Sequence, residues 1–298
     1  MSSTPSSRPL DALGIAVTIG LCLSWGFNQV AVKLAIHDIP PLIQSSARSL
    51  VAAVLVGAWA QARGLPLFKR DGTLGAGLLC GALFALEFLL IYRGLLWTTA
   101  TRAVLFIYLA PFFVVIAVRW LIPSDRFAAS QWLGLLLSFL GIVVAFGLPT
   151  PAANPHQLIG DVMMVGAAAA WAATTLLIKV SSLNRVSAEK TMLYQLAVSC
   201  PLLAAGALAF GEHIAAMPSP LALGAFAYQA VWVVSVTFVV WFAFIVRYSA
   251  SRLSVFTFLT PLFGVAAGHL VLHEPLTPAF VLAVALVAGG LLLVNRPQ

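Results

Sequence analysis

The chain has 298 residues, of which 61% are apolar and 8% are charged, and its formal net charge is +7. A soluble domain is about 45–50% apolar and about 25% charged, so this composition excludes an ordinary water-soluble fold. We therefore predict a protein that crosses a membrane many times, with lipid as the solvent for most side chains. The basic residues lie in short segments between apolar runs, which favours a role in membrane orientation over nucleic-acid binding.

Ten apolar runs follow a polar N-terminal segment, 1–11, that is predicted to be disordered. Each run approaches the roughly 20 residues that a helix needs to cross a bilayer. The runs are continuous rather than alternating, which favours helices over barrel strands. They cover approximately 12–36, 41–62, 73–96, 99–122, 128–147, 158–179, 188–210, 221–246, 251–272 and 277–294.

The basic residues between the runs predict the orientation of the chain. With a cytoplasmic N-terminus, twelve of them fall on the cytoplasmic side and three, Lys33, Arg93 and Arg102, fall on the other side. Cytoplasmic loops carry an excess of Lys and Arg. Both termini are therefore expected in the cytoplasm, and the number of spans is expected to be even.

Two pairs of similar stretches indicate an internal repeat. ATRAVLFIYLAP at 100–111 and ASRLSVFTFLTP at 250–261 share five of twelve residues and begin runs four and nine. WGFNQVAVK and WAATTLLIK mark runs one and six in the same way. Because five spans separate the copies, they are predicted to be inverted, as in many secondary transporters. The predicted units are a first five-helix repeat, a connecting loop and a second five-helix repeat, over 12–147, 148–157 and 158–294.

These stretches, with YLAPFF, FLTPLF and HEPLTPAFVLAVALVAGGLLLV, resemble the EamA-type branch of the drug/metabolite transporter superfamily. The resemblance covers nearly the whole chain, although Asp125 stands where the family usually has Glu. Within the family, the chain is most similar to amino-acid exporters of the aromatic type. The resemblance implies an all-α integral membrane protein with ten transmembrane helices in a bacterial inner membrane. Its expected role is to export small amphipathic metabolites, amino acids including aromatic ones, or to facilitate their passage, by alternating access.

Glu87 is the one acid far from a predicted loop. A charge at the centre of a membrane helix costs about 2.5–3.5 kcal/mol on insertion scales, so such a residue usually faces a cavity or a partner. One interpretation is a carboxylate that takes up protons or contacts an amine. The alternative is a structural ion pair with Arg48 or Lys33.

Runs one, six and eight carry aromatic and polar residues at helical spacing, so each set lies on one side of its helix. Both Thr174 and Thr175 fit this spacing in run six. Ordinary packing is the alternative for each tryptophan, and an interfacial position is the alternative for the tyrosine. The predicted substrate cavity is lined by Trp25, Asn28, Glu87, Trp171, Thr175, Tyr228 and Trp232.

Pro111 and Pro261 are predicted to kink runs four and nine and to act as hinges, with a static packing kink as the alternative. Four basic residues mark corresponding motif positions of the two repeats, and the lysines among them are equally suited to snorkel towards the interface. These four residues are Lys33, Arg102, Lys179 and Arg252.

No nucleophile triad, phosphate loop or metal-ligand spacing is recognisable, so no catalytic residue, metal or cofactor is predicted, and the chain is not expected to be an enzyme. The expected partners are a small-molecule substrate and the lipid bilayer, without nucleic acid, for a monomer or weak homo-oligomer. The alternatives are a membrane enzyme acting on lipid, an exporter of drugs or nucleosides, and a channel or receptor without alternating access.

Overall fold

The structure is a computed structural model that describes residues 11–121, 129–146, 155–247, 256 and 259–294. Within these ranges the secondary structure is helical, and no strand occurs. The helices are α1 (Ala12–Ala35), α2 (Pro41–Ala62), α3 (Leu74–Gly94), α4 (Ala100–Ile107), α5 (Ala110–Leu121), α6 (Ala129–Phe146), α7 (Gln157–Val180), α8 (Ala188–Ala209), α9 (Pro220–Ala227), α10 (Thr237–Arg247), α11 (Leu259–Leu272) and α12 (Pro278–Val294). A 3-10 turn covers Ser182–Arg185, and a π-helical segment, the π segment, covers Tyr228–Val236.

Six helical stretches of the described chain are long and apolar enough to cross a membrane. They are Ala12–Ala35, Pro41–Ala62, Leu74–Gly94, Gln157–Val180, Ala188–Ala209 and Pro220–Trp241. Shorter apolar helices cover Ala100–Val114, Trp132–Ala145, Leu259–Leu272 and Pro278–Gly290. The expected all-helical architecture with apolar helices is therefore confirmed. The ten-span count and the cytoplasmic location of both termini stay predictions. Residues 1–10 of the predicted N-terminal segment and 148–154 of the predicted connecting loop lie outside the described residues.

The helices of the first half and of the second half have matching neighbours. α1 packs against α11, and α7 packs against α4 and α5. α2 contacts the π segment, and α8 contacts α3. α3 packs against α7, and α9 packs against α1. In each of these three sentences, replacing every span by the span five positions away in the chain converts the first contact into the second. A pseudo-twofold relation between two repeats produces such paired contacts.

Two spans depart from a regular α-helix at their centres: the π segment interrupts span eight, and a turn interrupts span four. α4 ends at Ile107, and Tyr108 and Leu109 form a turn before α5 begins at Ala110. Pro111 therefore lies in the first turn of a new helix, where its missing N–H removes no essential bond, and the expected kink is a helix break. Pro261 lies in the first turn of α11, and residues 257–258 just before it are outside the described residues.

Small residues allow the closest helix contacts. A Cβ on Gly26 of α1 would lie 2.7 Å from the backbone nitrogen of Gly264 in α11. A Cβ on Gly77 of α3 would lie 2.5 Å from the ring of Tyr194 in α8. Helices in lipid gain little from hydrophobic burial, so close van der Waals contact at small residues is a main source of their association.

Acidic side chains cap helices at one end of the bundle, which we name the Lys33 end. Pro40 precedes α2 and has no side-chain acceptor, and the backbone N–H groups of Leu42 and Ile43 donate instead to Oε2 of Glu212, at 2.8 and 3.2 Å. Glu274 likewise accepts from the backbone nitrogens of Ala100 and Thr101 at the start of α4, at 2.7 and 2.8 Å. Unpaired N–H groups and the helix dipole both favour a carboxylate at these positions.

Arg102 and Asp161 form a buried ion pair at the same end, between α4 and α7. The guanidinium donates from Nε and Nη2 to the carboxylate, with an Nη2–Oδ2 distance of 2.6 Å. The hydroxyl of Thr98 also donates to Asp161, at 2.5 Å. Arg102 and Asp161 are 2% and 1% exposed, so each charge depends on the other for its stability. Arg102, expected only as a motif residue, thus joins the two halves of the chain.

The opposite end of the bundle, the Asp71 end, has its own ion pair, between the loop before α3 and the first turn of α8. Lys190 Nζ donates to Oδ2 of Asp71 at 2.7 Å, and the Thr73 hydroxyl donates to Oδ1 at 2.6 Å. These hydrogen bonds, first that from Lys190 and then that from Thr73, lower the pKa of Asp71 to about 2. The loop before α3 is therefore tied to the start of α8.

We expect Asp161→Asn to lower the free energy of unfolding by about 3–5 kcal/mol, because it leaves the buried Arg102 guanidinium without a counter-charge. The measurement is the thermal unfolding midpoint of the detergent-purified protein. The control is Glu189→Gln, which removes a half-buried acid whose side chain forms no hydrogen bond or ion pair with the described residues. Equal midpoints for both variants would contradict a stabilising role for the pair.

Candidate functional site

A buried band of polar side chains, the polar seam, lies where α2 packs against α3, α8 and the π segment. Hydroxyl contacts join two of its helices: Ser199 Oγ donates to Ser49 Oγ at 3.1 Å, and Ser46 Oγ donates to the carbonyl of Cys200 at 2.9 Å. Buried polar groups in an apolar medium are costly unless they are hydrogen-bonded. The seam consists of Ser46, Arg48, Ser49, Glu87, Tyr92, Gln195, Ser199 and Gln229, each at most 9% exposed.

Arg48 is the cation of the polar seam, and it is 2% exposed. Its Cζ lies 3.9 Å from the centroid of the Phe88 ring and 5.7 Å from that of Tyr92. Its Nε and Nη2 have no hydrogen-bond partner in the structure. A cation over an aromatic face gains about 0.5–2 kcal/mol, whereas burial of an ion costs several, so the rings offset only part of the penalty.

Glu87 is the acid of the seam, on α3 beside Phe88, and it is 7% exposed. The charge of Arg48 acts on it, but no nitrogen of Arg48 or Lys33 comes within 4.0 Å of its carboxylate, since the ion pairs of the described residues involve other acids. The direct ion pair that was the alternative interpretation of Glu87 is therefore absent. The two buried charges lie near each other without neutralising each other through contact.

The π segment places an amide in the seam. The Tyr92 hydroxyl donates to Oε1 of Gln229 at 2.7 Å, and Gln229 Nε2 donates to the carbonyl of Ala225 at 3.2 Å. Both side chains are fully buried. π-Helical turns are rare and frequently occur at functional sites. Here the wider turn departs from the regular helix expected over 221–246. It places Gln229 where it accepts the hydrogen bond of Tyr92, the tyrosine beside Arg48.

Trp25 lies against span eight rather than against Trp171. Its Nε1 donates to the Thr237 hydroxyl at 2.9 Å, and its ring meets the Trp241 ring edge-on at 5.2 Å. Asn28, one turn further along α1, is 9% exposed, and its Oδ1 has no hydrogen-bond partner in the structure. On the predicted polar–aromatic side of run one, Asn28 is therefore buried with a free acceptor, and Trp25 is half-buried.

Trp171 on α7 contacts span four. Its ring meets that of Tyr108 edge-on at 6.0 Å, at the turn between α4 and α5. Of the two threonines that fit the spacing, Thr174 is 4% exposed, whereas Thr175 is exposed. Each threonine hydroxyl donates to a carbonyl of its own helix. Thr175 therefore lies outside the buried interior, and Thr174 occupies the inward position.

Tyr228 and Trp232 pack on α1 at Ser24. The Tyr228 hydroxyl donates to the Ser24 carbonyl at 2.8 Å, and Trp232 Nε1 donates to the Ser24 hydroxyl at 3.0 Å. Trp232 is 46% exposed. Both residues therefore contact α1 through Ser24.

A cleft of about 380 Å³ opens at the Lys33 end. Lys33 lines it together with His37, Thr99 and Glu274. The carboxylate that acts on Lys33 is Glu274, so Lys33 belongs to this cleft and not to the surroundings of Glu87.

The other motif residues contribute less to the described site. Lys179 is exposed at the end of α7 and accepts a hydrogen bond from Asn184 only through its carbonyl, at 3.1 Å. Arg252 lies outside the described residues. Within the described part of the chain, no group of three or more His, Cys, Asp or Glu residues is placed to hold a metal ion.

Phe88, Tyr92 and Gln229 are site residues that the sequence interpretation missed. Arg48 had a visible signal, because it is the one basic residue inside the second apolar run. Phe88 and Tyr92 follow Glu87 at i+1 and i+5 in an aromatic-rich helix, where nothing distinguishes a site residue from a packing residue. Gln229 reaches the seam through the π segment, for which sequence spacing gives no indication.

The comparison with protein families decides the family of the chain. A model of the EamA-like transporter family matches residues 12–147 and, separately, residues 158–296. The chain belongs to the EamA-like transporter family. This confirms the superfamily that the motifs predicted, and it identifies the chain as a multi-pass membrane protein of a transporter family.

Relatives of this EamA-like protein are distant but cover nearly its whole length. An uncharacterized transporter of Bacillus subtilis, YoaV, is 25% identical over 92% of this chain and 93% of its own. A probable amino-acid metabolite efflux pump of Escherichia coli is 24% identical over 90% of this chain and 89% of its own. A solved crystal structure superposes with a TM-score of 0.67 at 18% identity, over 93% of this chain and 94% of that one, which shows a shared fold.

We expect Tyr92→Phe to lower the free energy of unfolding of this EamA-like protein by about 1–3 kcal/mol, because Oε1 of the buried Gln229 loses its donor. Tyr228→Phe is the control, since its hydroxyl donates to a helix carbonyl in a half-buried position. Thermal unfolding in detergent measures both variants. A smaller effect for Tyr92→Phe than for Tyr228→Phe would show that the Tyr92–Gln229 hydrogen bond does not stabilise the seam.

Proposed function

We propose that the protein is a secondary transporter, an exporter or facilitator, of small amphipathic metabolites by alternating access, with amino acids, including aromatic ones, as its substrates. The observation that carries this proposal is the buried, unpaired combination of Arg48 and Glu87 in the interior of an apolar helix bundle. Ionisable residues inside membrane segments are expensive and typically mark substrate or ion pathways. An amino acid carries the two complementary charges.

Aromatic side chains suit the remaining part of such a substrate. Phe88 and Tyr92 lie beside Arg48, and Trp25 and Trp171 lie on α1 and α7, the first helices of the two predicted repeats. An aromatic ring stacked on such side chains gains about 0.5–1.5 kcal/mol beyond its area burial. The free Oδ1 of Asn28 offers a further acceptor for an ammonium group.

The comparisons support this proposal at a general level. The relative named as a probable amino-acid metabolite efflux pump favours amino acids as the substrate class. The two separate family matches and the matching helix neighbours support two repeats that rock against each other. The excess of basic residues at one side supports cytoplasmic termini, and we place the protein in a bacterial inner membrane as a monomer or weak homo-oligomer.

The test is transport by the purified protein reconstituted into lipid vesicles. Vesicles preloaded with unlabelled amino acid should take up radiolabelled phenylalanine, tyrosine or tryptophan by exchange, and vesicles without protein should not. A parallel panel contains nucleosides and cationic drugs. Exchange of nucleosides or drugs without amino acids would replace the proposed substrate class, and no exchange of any compound would oppose a transporter of this kind.

We expect Glu87→Gln to abolish the pH dependence of transport while leaving folded protein in the membrane, because the amide cannot take up a proton. Initial rates between pH 5.5 and 8.5 in vesicles measure this effect, with Glu189→Gln as the control for loss of an acid elsewhere. If Glu87 only balances the charge of Arg48, the variant should instead lose thermal stability and keep its pH profile.

We expect Trp25→Ala and Trp171→Ala to raise the apparent Km for an aromatic amino acid by up to about tenfold, and that for alanine by less, because only the aromatic substrate loses ring stacking. The control is Trp59→Ala, which removes a partly exposed tryptophan that contacts Arg63. Equal increases for both substrates would mean that the two tryptophans pack the bundle without contacting the substrate.

A further inference from the structure

We infer that the Arg48 side chain is the group that binds the carboxylate of the substrate, so that the transported class is small molecules with a free carboxylate. The inference rests on the proposed function and names the chemistry that the site selects. It makes Arg48, which the predicted cavity did not include, a specificity-determining residue.

The first observation is the state of the Arg48 guanidinium. It is 2% exposed, and Nε and Nη2 have no hydrogen-bond partner. Its Cζ lies 3.9 Å from the centroid of the Phe88 ring, within cation–π distance. The N–H groups lie in the plane of the guanidinium, so those of the unpartnered Nε and Nη2 are available to an acceptor at its edge.

The second observation is that another buried arginine of the same chain binds a carboxylate through Nε and Nη2. Arg102 is equally buried, and it uses Nε and Nη2 to hold the carboxylate of Asp161 at 2.6–3.1 Å. Arg48 has these same two nitrogens free. The fork geometry of Nε and Nη2 matches the two oxygens of a carboxylate, which gives geometric selectivity as well as energy.

The third observation concerns Glu87, the acid that could satisfy Arg48 from within the protein. The charges act on each other, but the Glu87 carboxylate is not within ion-pair distance of any Arg48 nitrogen, as the ion pairs of the described residues show. A fixed internal pair would neutralise both groups. The absence of this contact leaves the guanidinium of Arg48 and the carboxyl group of Glu87 available to complementary groups of one ligand.

The surroundings of Arg48 also suit a site that changes between conformations. The side chain projects from α2 onto α3, and Gln229 of the π segment hydrogen-bonds Tyr92, the second ring beside Arg48. α2 belongs to the first half of the chain and the π segment to the second. A carboxylate bound here would therefore contact the boundary between the halves that alternating access moves.

The experiment compares L-phenylalanine and L-phenylalaninamide at pH 6, where both α-amino groups are protonated and the two ligands differ in the carboxylate. Exchange in reconstituted vesicles and the ligand-induced shift of the thermal unfolding midpoint are measured for wild type, Arg48→Gln and Arg48→Lys. A charge-assisted bidentate contact predicts that wild type prefers phenylalanine over the amide by about ten- to hundredfold. Arg48→Gln should abolish this preference, and Arg48→Lys should retain a smaller one, because it keeps the charge without the fork.

Arg63→Gln is the matched control, since Arg63 is an exposed arginine just after the same helix that also lies over an aromatic ring, 5.5 Å from the Trp59 centroid. It should leave the preference unchanged. Should Arg48→Gln fail to fold, the double variant Arg48→Gln/Glu87→Gln removes both charges, and the inference requires that it too lacks the preference for the carboxylate.

The outcomes separate this inference from the proposed function. Wild type that exchanges phenylalanine and its amide equally well would overturn the inference and leave the transporter proposal standing. The inference would also be overturned if Arg48→Gln or the double variant kept the preference of wild type. Failure of wild type to exchange either ligand would count against the proposed function itself, and the inference would fall with it.

Discussion

The rest of the structure depends on one constraint: a charge inside an apolar helix bundle is stable only where an opposite charge or a hydrogen-bonding backbone meets it. The Lys33 end obeys this constraint through its acids. Asp161 neutralises Arg102, while Glu212 and Glu274 bind the free N–H groups at the starts of α2 and α4. Each contact joins segments that are distant in the chain, so the same interactions that satisfy the charges also fix the helices relative to one another.

Arg48 is a buried charge that meets this constraint only in part. Two aromatic rings and a nearby carboxylate reduce the penalty of its burial, but its Nε and Nη2 make no hydrogen bond. Arg102, by contrast, donates from both Nε and Nη2 to the carboxylate of Asp161, so the chain supplies a contacting counter-charge to that buried guanidinium. The two unsatisfied nitrogens of Arg48 lie in the seam, where a ligand with matching acceptors would be strongly stabilised, since the surrounding medium has a low dielectric constant.

Interruptions of regular helix serve the same interior. The turn at Tyr108 and Leu109 lets span four change direction beside Trp171, and the π segment turns Gln229 towards Tyr92. Irregular backbone within a membrane is tolerated where neighbouring groups satisfy it. The Ser235 hydroxyl, which donates to the carbonyl of Ala230 at 3.0 Å, is one such group. Both interruptions lie in the spans that carry or contact the aromatic candidates, so they shape the region where a substrate is proposed to bind.

The sequence by itself determined the class of the protein, its apolar helices and its family, because composition, run length and repeated motifs are local properties that lipid enforces strongly. It also singled out Glu87, since a lone acid within an apolar run can be recognised from the sequence without knowing which residues it contacts. Only the tertiary structure decided which groups meet. It paired Arg102 with Asp161, put Thr174 rather than Thr175 inside, and brought Arg48, Tyr92 and Gln229 into one seam. The physical reason is that these contacts depend on helix rotation and on a π segment, which are set by packing between helices distant in sequence and leave no periodic trace in the chain.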